Sequence, residues 1–174
     1  LAHKKKLFKK QASFFANGNC FQANIYHDVI SIKMQNISDI TINHNDSVLI
    51  DSGSPHIVFF RDSVEHLDVD ALGRNIRNSV DYKEKGINVN FVEIQNQSLY
   101  VRTYERGVEK ETLSCGTGVV ASAIASHRQG FINTDNIEII TNGGVINVSF
   151  NYSNQTYKEI YLSGNASLVF QGDF

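Results

Sequence analysis

The sequence is poor in cysteine, in proline and in long apolar runs, and each shortage narrows the class of protein. Two cysteines without a signal peptide, one of them at a thiolate-type position, favour a reducing cytoplasm over a disulfide-stapled secreted domain. The single proline, Pro55, provides no hinge. No apolar run approaches the roughly 20 residues of a membrane span. We therefore expect a soluble, cytoplasmic protein of one domain or slightly more.

The charges and the histidines argue against further classes of partner. The formal net charge is −2, so no overall field draws the chain toward nucleic acid or a membrane. A basic run at positions 3–10 is typical of a solvated helix end, because no aromatic stacking platform accompanies it. The histidines lack the spacing of metal ligands, so we expect no metal site.

Short strands dominate the pattern and predict an α+β fold with few helices on an extensive antiparallel sheet. Stretches rich in Val, Ile, Phe and Tyr, separated by Asn, Asp and Gly, are predicted as strands at 13–15, 21–26, 29–34, 48–51, 57–60, 89–94, 99–104, 137–141, 145–152 and 157–163. Two helices are predicted, at 69–79, with Leu72, Ile76 and Val80 on one face, and at 117–128.

The stretch 105–125, ERGVEKETLSCGTGVVASAIA, places Cys115 where a strand gives way to a helix of small residues. The unpaired N–H groups and the positive dipole end at a helix start stabilise an anion, either a thiolate or a bound carboxylate. A free cysteine is often only a small core residue. The flanking Gly116 and Gly118 instead favour close approach of a ligand to the backbone. We therefore predict a reactive Cys115 whose pKa lies below that of an ordinary thiol.

Motifs along the chain resemble the diaminopimelate epimerase family. YERG, ETLSCGTG and the Ala-rich helix after them are similar to the second catalytic motif of that family. SGSPH at 52–56, DVDALGRNIRNS at 68–79, GINVNFVEI at 86–94 and the terminal LSGNASLVFQGDF follow in the family's order. The resemblance covers nearly the whole chain. It implies two similar lobes, each a sheet wrapped around a central helix, with the active site between them.

The first catalytic motif of that family, Cys-Gly-Asn-Gly-x-Arg, does not occur in this sequence. Cys20 lies in FFANGNCFQANIY without the rest of that motif, so we interpret it as structural. The resemblance, together with a start at Leu1 rather than Met, implies the C-terminal two-thirds of an epimerase with one of its two cysteines. On the family template, 1–38 and about 163–174 belong to an incomplete first lobe, and 39–162 form the second lobe.

The resemblance implies a catalytic role for three residues of this chain. Cys115 would be one of two acid/base groups, with His56 and Glu105 tuning its protonation. Taken alone, a histidine at the head of a strand is usually a packing residue, and a Glu-Arg pair such as Glu105-Arg106 is usually a surface ion pair. A titrating imidazole near a thiol could instead hold that thiol in its reactive form.

The resemblance also implies a set of residues that bind the substrate. They are Ser54, Asn88, Glu105, Arg106, Gly116 and Thr117. The planar guanidinium of Arg106 suits a substrate carboxylate. Asn88 would hold one end of the substrate, with Asn90 as the alternative. Ser54 replaces the family's usual Asn, and a hydroxyl lacks the paired donor and acceptor of an amide.

The implied reaction is the cofactor-independent epimerisation of LL-diaminopimelate to meso-diaminopimelate in bacterial lysine and cell-wall synthesis. One thiolate removes the α-proton while a thiol on the opposite face delivers another, so no cofactor is expected. The partner is then a small molecule, and a homodimer is left open. Two alternatives remain. One is a proline-racemase-like or phenazine-biosynthesis-like isomerase of the same superfamily, and the other is an inactive fragment that only binds carboxylates.

Overall fold

The computed structural model describes residues 6, 8–16, 18–43, 47–167 and 172. The strands are β1 (Gln11–Ala16), β2 (Asn19–Tyr26), β3 (Val29–Lys33), β4 (Ile40–Ile42), β5 (Val48–Asp51), β6 (Pro55–Phe60), β7 (Asn88–Gln95), β8 (Ser98–Glu105), β9 (Lys110–Thr112), β10 (Asn136–Thr141), β11 (Gly144–Ser153) and β12 (Thr156–Asn165). The helices are α1 (Val69–Arg77) and α2 (Gly116–Arg128), and a 3-10 turn, Val64–His66, precedes α1.

One sheet joins these strands in the order β1-β2-β3-β12-β11-β10-β8-β7-β6-β5-β4, with β9 added on β8. Only the β6–β7 and β8–β10 pairs are parallel within this sheet. The predicted α+β class with a mainly antiparallel sheet is therefore confirmed. β12 joins strands β1 to β3 to the rest of the sheet, because it pairs with β3 on one side and with β11 on the other. The division into two lobes near positions 38 and 163 stays a prediction.

Helix α2 is the central element of the fold. Residues 118–126 are all buried, and the helix contacts β5 to β8 and β10 to β12. Its small side chains let the strands enclose it on every face. The hydroxyls of Ser122 and Ser126 donate to the carbonyls of Gly118 and Ser122, at 2.7 and 2.8 Å, which satisfies these buried polar groups within the helix.

Alternation along the strands divides the core into two clusters. Val58 and Val92 pack with α2, together with apolar residues of β5, β8, β10 and β11. Ile57, Phe59 and Phe91 point to the opposite face, in the cluster that includes Val69 of α1. Because successive side chains of a strand point to opposite faces, β6 and β7 contribute to the core on the α2 side and to the core on the α1 side. No helix in the described residues is long and apolar enough to cross a membrane.

The ten predicted strands are all present, within two residues of their predicted ends. The three-residue strands β4 and β9 were not predicted. β9 reads Lys-Glu-Thr, which has no apolar pattern, and it forms because it pairs with the end of β8. The basic run at 3–10 and the terminal LSGNASLVFQGDF lie partly outside the described residues.

The predicted apolar face of the first helix is confirmed at Ile76, which packs against the cluster that includes Val69, and is wrong at Leu72 and Val80. Helix α1 ends at Arg77, and Leu72 and Val80 are 40% and 78% exposed. The buried positions of α1 are instead Val69 and Gly73, four residues apart on one face. The helix therefore packs through its smallest residue, because the absence of a side chain there brings its backbone close to the sheet.

The contact between Gly73 and β8 leads to a test of this packing. Alanine in a helix interior is ordinarily about 1 kcal/mol more favourable than glycine. Here a Cβ on residue 73 would overlap the side chain of Tyr104, which is 1% exposed. We expect Gly73→Ala to lower the free energy of unfolding by about 1–3 kcal/mol in urea denaturation. Asn75→Ala, on an exposed position of α1, is the matched control. A Gly73→Ala variant as stable as the unsubstituted chain would contradict the close contact.

Candidate active site

Cys115 is the N-cap of α2, the position predicted for it from the sequence. Its backbone is extended, with φ −119° and ψ 110°, and its carbonyl accepts the first helical hydrogen bond from the N–H of Val119 at 2.8 Å. The residue is 7% exposed. The thiol thus lies at the buried mouth of the central helix.

The protonation of Cys115 differs from the sequence prediction. Burial raises the pKa of the thiol, and the charge of Glu105 raises it further, while the Thr117 hydroxyl and nearby backbone N–H groups oppose the rise. The predicted lowering is therefore wrong in direction for this chain. The helix start does favour the thiolate, but loss of hydration at the buried sulfur raises the pKa by more than these donors lower it. The Thr117 hydroxyl oxygen lies 3.6 Å from Sγ.

His56 lies in β6 and is completely buried. Its Nε2 is 2.9 Å from the Thr117 hydroxyl and 3.0 Å from the Ser54 hydroxyl, and its Nδ1 is 3.0 Å from the Asn90 amide nitrogen. Burial lowers the pKa of His56 to about 3, and the charge of Arg106 contributes. The imidazole is therefore neutral near pH 7. It supplies no positive charge to the thiol, contrary to the expectation that its titration near neutral pH tunes Cys115.

Asn88 joins several predicted site residues to one another. Its amide nitrogen donates to the Ser54 hydroxyl and the Pro55 carbonyl, both at 3.1 Å. Its carbonyl oxygen accepts from the backbone N–H of Arg106 at 2.8 Å. These bonds occupy both amide hydrogens and the oxygen. In this structure Asn88 therefore holds the end of β8 against the turn that precedes His56.

Glu105 and Arg106 lie where β8 ends. Glu105 is half-buried and is the last residue of the strand, while Arg106 is exposed. The Arg106 guanidinium donates to the carbonyl of Lys85 at 3.0 Å, and its stem covers Gly86. The ion pairs found among the described residues do not join Arg106 to Glu105.

Three residues near the site were not predicted as site residues. Ser52 donates from its hydroxyl to the carbonyl of Thr117 at 2.7 Å. Asn90, considered only as an alternative to Asn88, contacts His56, and Thr103 donates to the Asn90 oxygen at 2.9 Å. A polar residue at an inward position of a β-branched strand is the sequence signal that could have identified Asn90 and Thr103.

The two glycines at the start of α2 contact protein rather than open space. A Cβ on Gly118 would lie 2.5 Å from the Asn90 amide oxygen and 3.3 Å from Cε1 of His56. A Cβ on Gly116 would lie 3.1 Å from the Leu162 side chain. The predicted role of Gly118 in ligand approach is therefore wrong. Its missing side chain instead lets the first turn of α2 approach β6 and β7.

A cavity of about 690 Å³ opens beside the start of α2. It is lined by Cys20, Phe21, Gln22, Lys33, Met34, Gln35, Ser52, Gly53 and Thr117. Its walls come from β2 and β3 on one side and from the 52–53 turn and α2 on the other. Cys20, which we interpreted as structural, is exposed on this wall and is not part of the core. In the described part of the chain, no group of three or more His, Cys, Asp or Glu side chains could hold a metal ion.

Comparison with known proteins gives a consistent result. The family model for diaminopimelate epimerase matches residues 48–169. A curated diaminopimelate epimerase of Flavobacterium psychrophilum is 42% identical over 172 residues, which cover 98% of this chain and 67% of that protein. The enzyme of Aquifex aeolicus is 33% identical over 182 residues, with 98% and 64% covered. This chain thus spans about two thirds of the length of these relatives.

A solved structure supports the fold independently of sequence. The hydroxyproline epimerase of Agrobacterium vitis superposes with a TM-score of 0.66 and covers 94% of this chain and 61% of its own. Its sequence identity is 10%, so the likeness concerns the fold alone.

The neutral imidazole of His56 makes stability depend on pH. The folded state holds His56 uncharged down to a pKa of about 3, whereas the unfolded chain takes up the proton near 6.5. The unfolded state therefore binds more protons between these values. The free energy of unfolding should fall as the pH falls from about 6.5 toward 3, by up to about 1.4 kcal/mol per pH unit from this group.

His56→Gln should flatten that pH dependence in urea denaturation at pH 7, 6 and 5. His66→Gln, which removes an exposed imidazole, is the matched control. A His56→Gln variant that loses stability toward acid as steeply as the unsubstituted chain would contradict the buried, neutral imidazole.

Proposed function

Because this chain belongs to the diaminopimelate epimerase family, we propose that it carries half of the active site that converts LL-diaminopimelate to meso-diaminopimelate. Cys115 is one of the two acid/base groups in this proposal. The other is the cysteine of the family's first motif, which this sequence does not contain. Free cysteines at helix starts are suited to this work, because the helix terminus supports negative charge on sulfur or on a nearby carboxylate.

The observation that carries the proposal is the position of Cys115 at the N-cap of α2, with Thr117 beside it at the cavity wall. A substrate carboxylate in that cavity meets the positive end of a buried helix. The carboxylate is the group through which the enzyme can stabilise the charge that develops at the α-carbon. Fixed donors in a site closed to water stabilise such charge most effectively.

The proposed epimerisation requires two sulfur groups and no cofactor. The thiolate on one face takes the α-proton, so a C–H bond breaks and an S–H bond forms. The electron pair remains at the α-carbon and is delocalised toward the carboxylate. A thiol on the opposite face then gives its proton to that carbon, which inverts the centre. The second thiol ends as a thiolate, ready for the reverse direction.

The remaining predicted residues keep roles in binding or in support. Arg106 lies close enough to lower the pKa of His56 and has guanidinium nitrogens besides the one bonded to Lys85, so it can bind a substrate carboxylate. Gly116 and Thr117 offer the helix-start N–H groups. Ser54 and Asn88 support this arrangement through their mutual hydrogen bond. The competing hypothesis is a fragment that binds carboxylates without catalysis.

A direct test uses the 174-residue chain as it is. We expect no conversion of LL-diaminopimelate to the meso isomer, measured by chiral chromatography, because inversion needs acid/base groups on both faces. Members of a cooperating catalytic set are strongly non-additive, so one thiol should not retain a proportional share of activity. Conversion that disappears in Cys115→Ser would contradict the half-site. If the conversion also disappears in Cys20→Ser, Cys20 would be identified as the second base.

A second test restores the missing motif. The part of the Flavobacterium psychrophilum relative that this chain does not match is joined to this chain. The chimera is expected to epimerise diaminopimelate and to lose activity in Cys115→Ser. Arg106→Lys keeps the charge but removes the two-pronged donor, so kcat/KM should fall roughly 30-fold to 1000-fold, equivalent to about 2–4 kcal/mol.

Arg74→Lys, on an exposed position of α1, controls for a general effect of exchanging arginine. Unchanged kcat/KM in Arg106→Lys would remove Arg106 from the substrate site. A folded but inactive chimera that still binds diaminopimelate would favour the carboxylate-binding fragment.

A further inference from the structure

We infer that Asn90, held in place by Thr103, is a positioning residue that fixes the tautomer of His56 and thereby directs the Thr117 hydroxyl toward Sγ of Cys115. The inference rests on the proposed role of Cys115 as an acid/base group. Neither Asn90 nor Thr103 contacts Cys115 in the described hydrogen bonds, and both act through the side chains between them.

The carbonyl of Ile57 settles the orientation of the Asn90 amide, and the Thr103 hydroxyl supports that orientation. The Thr103 hydroxyl donates to its oxygen at 2.9 Å, from the position directly opposite on β8. The amide nitrogen lies 3.2 Å from the carbonyl oxygen of Ile57, which can only accept. A flipped amide would place two acceptors against each other. The nitrogen therefore faces β6, and its second hydrogen is directed at Nδ1 of His56, 3.0 Å away.

The Asn90 amide determines which nitrogen of His56 carries the proton. A neutral imidazole has one donor nitrogen and one acceptor nitrogen. Because Asn90 donates to Nδ1, that nitrogen is the acceptor and the hydrogen lies on Nε2. Among the described residues, Asn88 is the only competing amide near Nε2, at 3.4 Å, and its two hydrogens already have partners at 3.1 Å in Ser54 and Pro55.

The protonated Nε2 in turn orients the Thr117 hydroxyl. Nε2 lies 2.9 Å from the Thr117 oxygen and 3.0 Å from the Ser54 oxygen, so it donates to these hydroxyls and neither of them donates to it. The Ser54 hydroxyl, which accepts from Asn88, can donate to the Thr117 oxygen at 3.1 Å. The Thr117 hydrogen is left for Sγ of Cys115 at 3.6 Å. With the proton on Nδ1, Nε2 would accept the Thr117 hydrogen and the thiolate would lose this donor.

The hydrogen bond from Thr117 lowers the pKa of Cys115 against the effect of burial. Losing that bond should therefore raise the pKa further and reduce the fraction of thiolate at a given pH. The charged groups that act on the pair are Glu105, on Cys115, and Arg106, on His56. Both lie at the end of β8 and are left unchanged in the test.

The test replaces the two positioning residues in a Cys20→Ser background, so that Cys115 is the only thiol. Thr103→Val removes the hydroxyl while keeping the shape and strand preference of the side chain. Thr103→Ser retains the hydroxyl and is the matched control. Asn90→Ala is the second variant and removes the donor to Nδ1 itself. Folding of each variant is checked by its amide spectrum.

Two signals are followed by NMR in the chain without substrate. The ¹⁵N shifts of the His56 ring report the tautomer, and the ¹³Cβ shift of Cys115 against pH reports the thiolate. We expect the Nε2–H tautomer in the parent and in Thr103→Ser. Asn90→Ala should show the Nδ1–H form, with about three- to tenfold less thiolate at a fixed pH below the pKa. Thr103→Val should shift both signals in the same direction by less, because the Ile57 carbonyl still orients the Asn90 amide.

An Nδ1–H tautomer in the parent, or an unchanged tautomer in folded Asn90→Ala, would overturn the inference. A changed tautomer with an unchanged titration of Cys115 would overturn the link through Thr117. These signals do not depend on turnover, so they separate this inference from the proposed function. A parent with the expected signals whose chimera is inactive would refute the function and leave the positioning role intact.

Discussion

The close packing of the first turn of α2 against β6 and β7 is the constraint on which the site depends. Gly118 makes it possible, since any side chain there would meet the Asn90 oxygen and the His56 ring. This contact brings the N-cap thiol, the hydroxyl of Thr117 and a buried imidazole into one hydrogen-bonded group. A helix held farther from the sheet would take the Thr117 hydroxyl away from Nε2 of the buried His56, which is costly.

The same packing decides the electrostatics of the site. Burial raises the pKa of Cys115 and lowers that of His56, so both groups favour their uncharged forms. In such surroundings each correctly oriented hydrogen bond matters more than at the surface, because no water replaces a lost donor. The direction of the Thr117 hydroxyl hydrogen therefore affects the pKa of the Cys115 thiol. The neighbouring amides and ring nitrogens determine that direction.

Much of this architecture could be predicted from the sequence, because alternation and turn residues are local signals. The ten strands and the position of Cys115 at a helix start follow from such patterns. The buried face of α1 was predicted only at Ile76, because its closest contact lies where Gly73 meets Tyr104 of β8 rather than at the largest apolar residues. The direction of the Cys115 pKa shift failed for a similar reason: the motif indicates a helix start, whereas the depth of burial is a property of the assembled sheet.

The polar residues of the site illustrate how strand register links the two halves of the core. On β8, Thr103 faces Asn90 and the α2 side, while Tyr104 packs in the α1 cluster, and Glu105 and Arg106 follow where the strand ends. A one-residue slip of β8 would exchange these faces, placing a tyrosine against Asn90 and a threonine against α1. The contact between Gly73 and Tyr104 therefore does more than stabilise α1. It opposes the slip that would remove Thr103 from Asn90, so packing on one face of the sheet maintains the hydrogen bonds on the other.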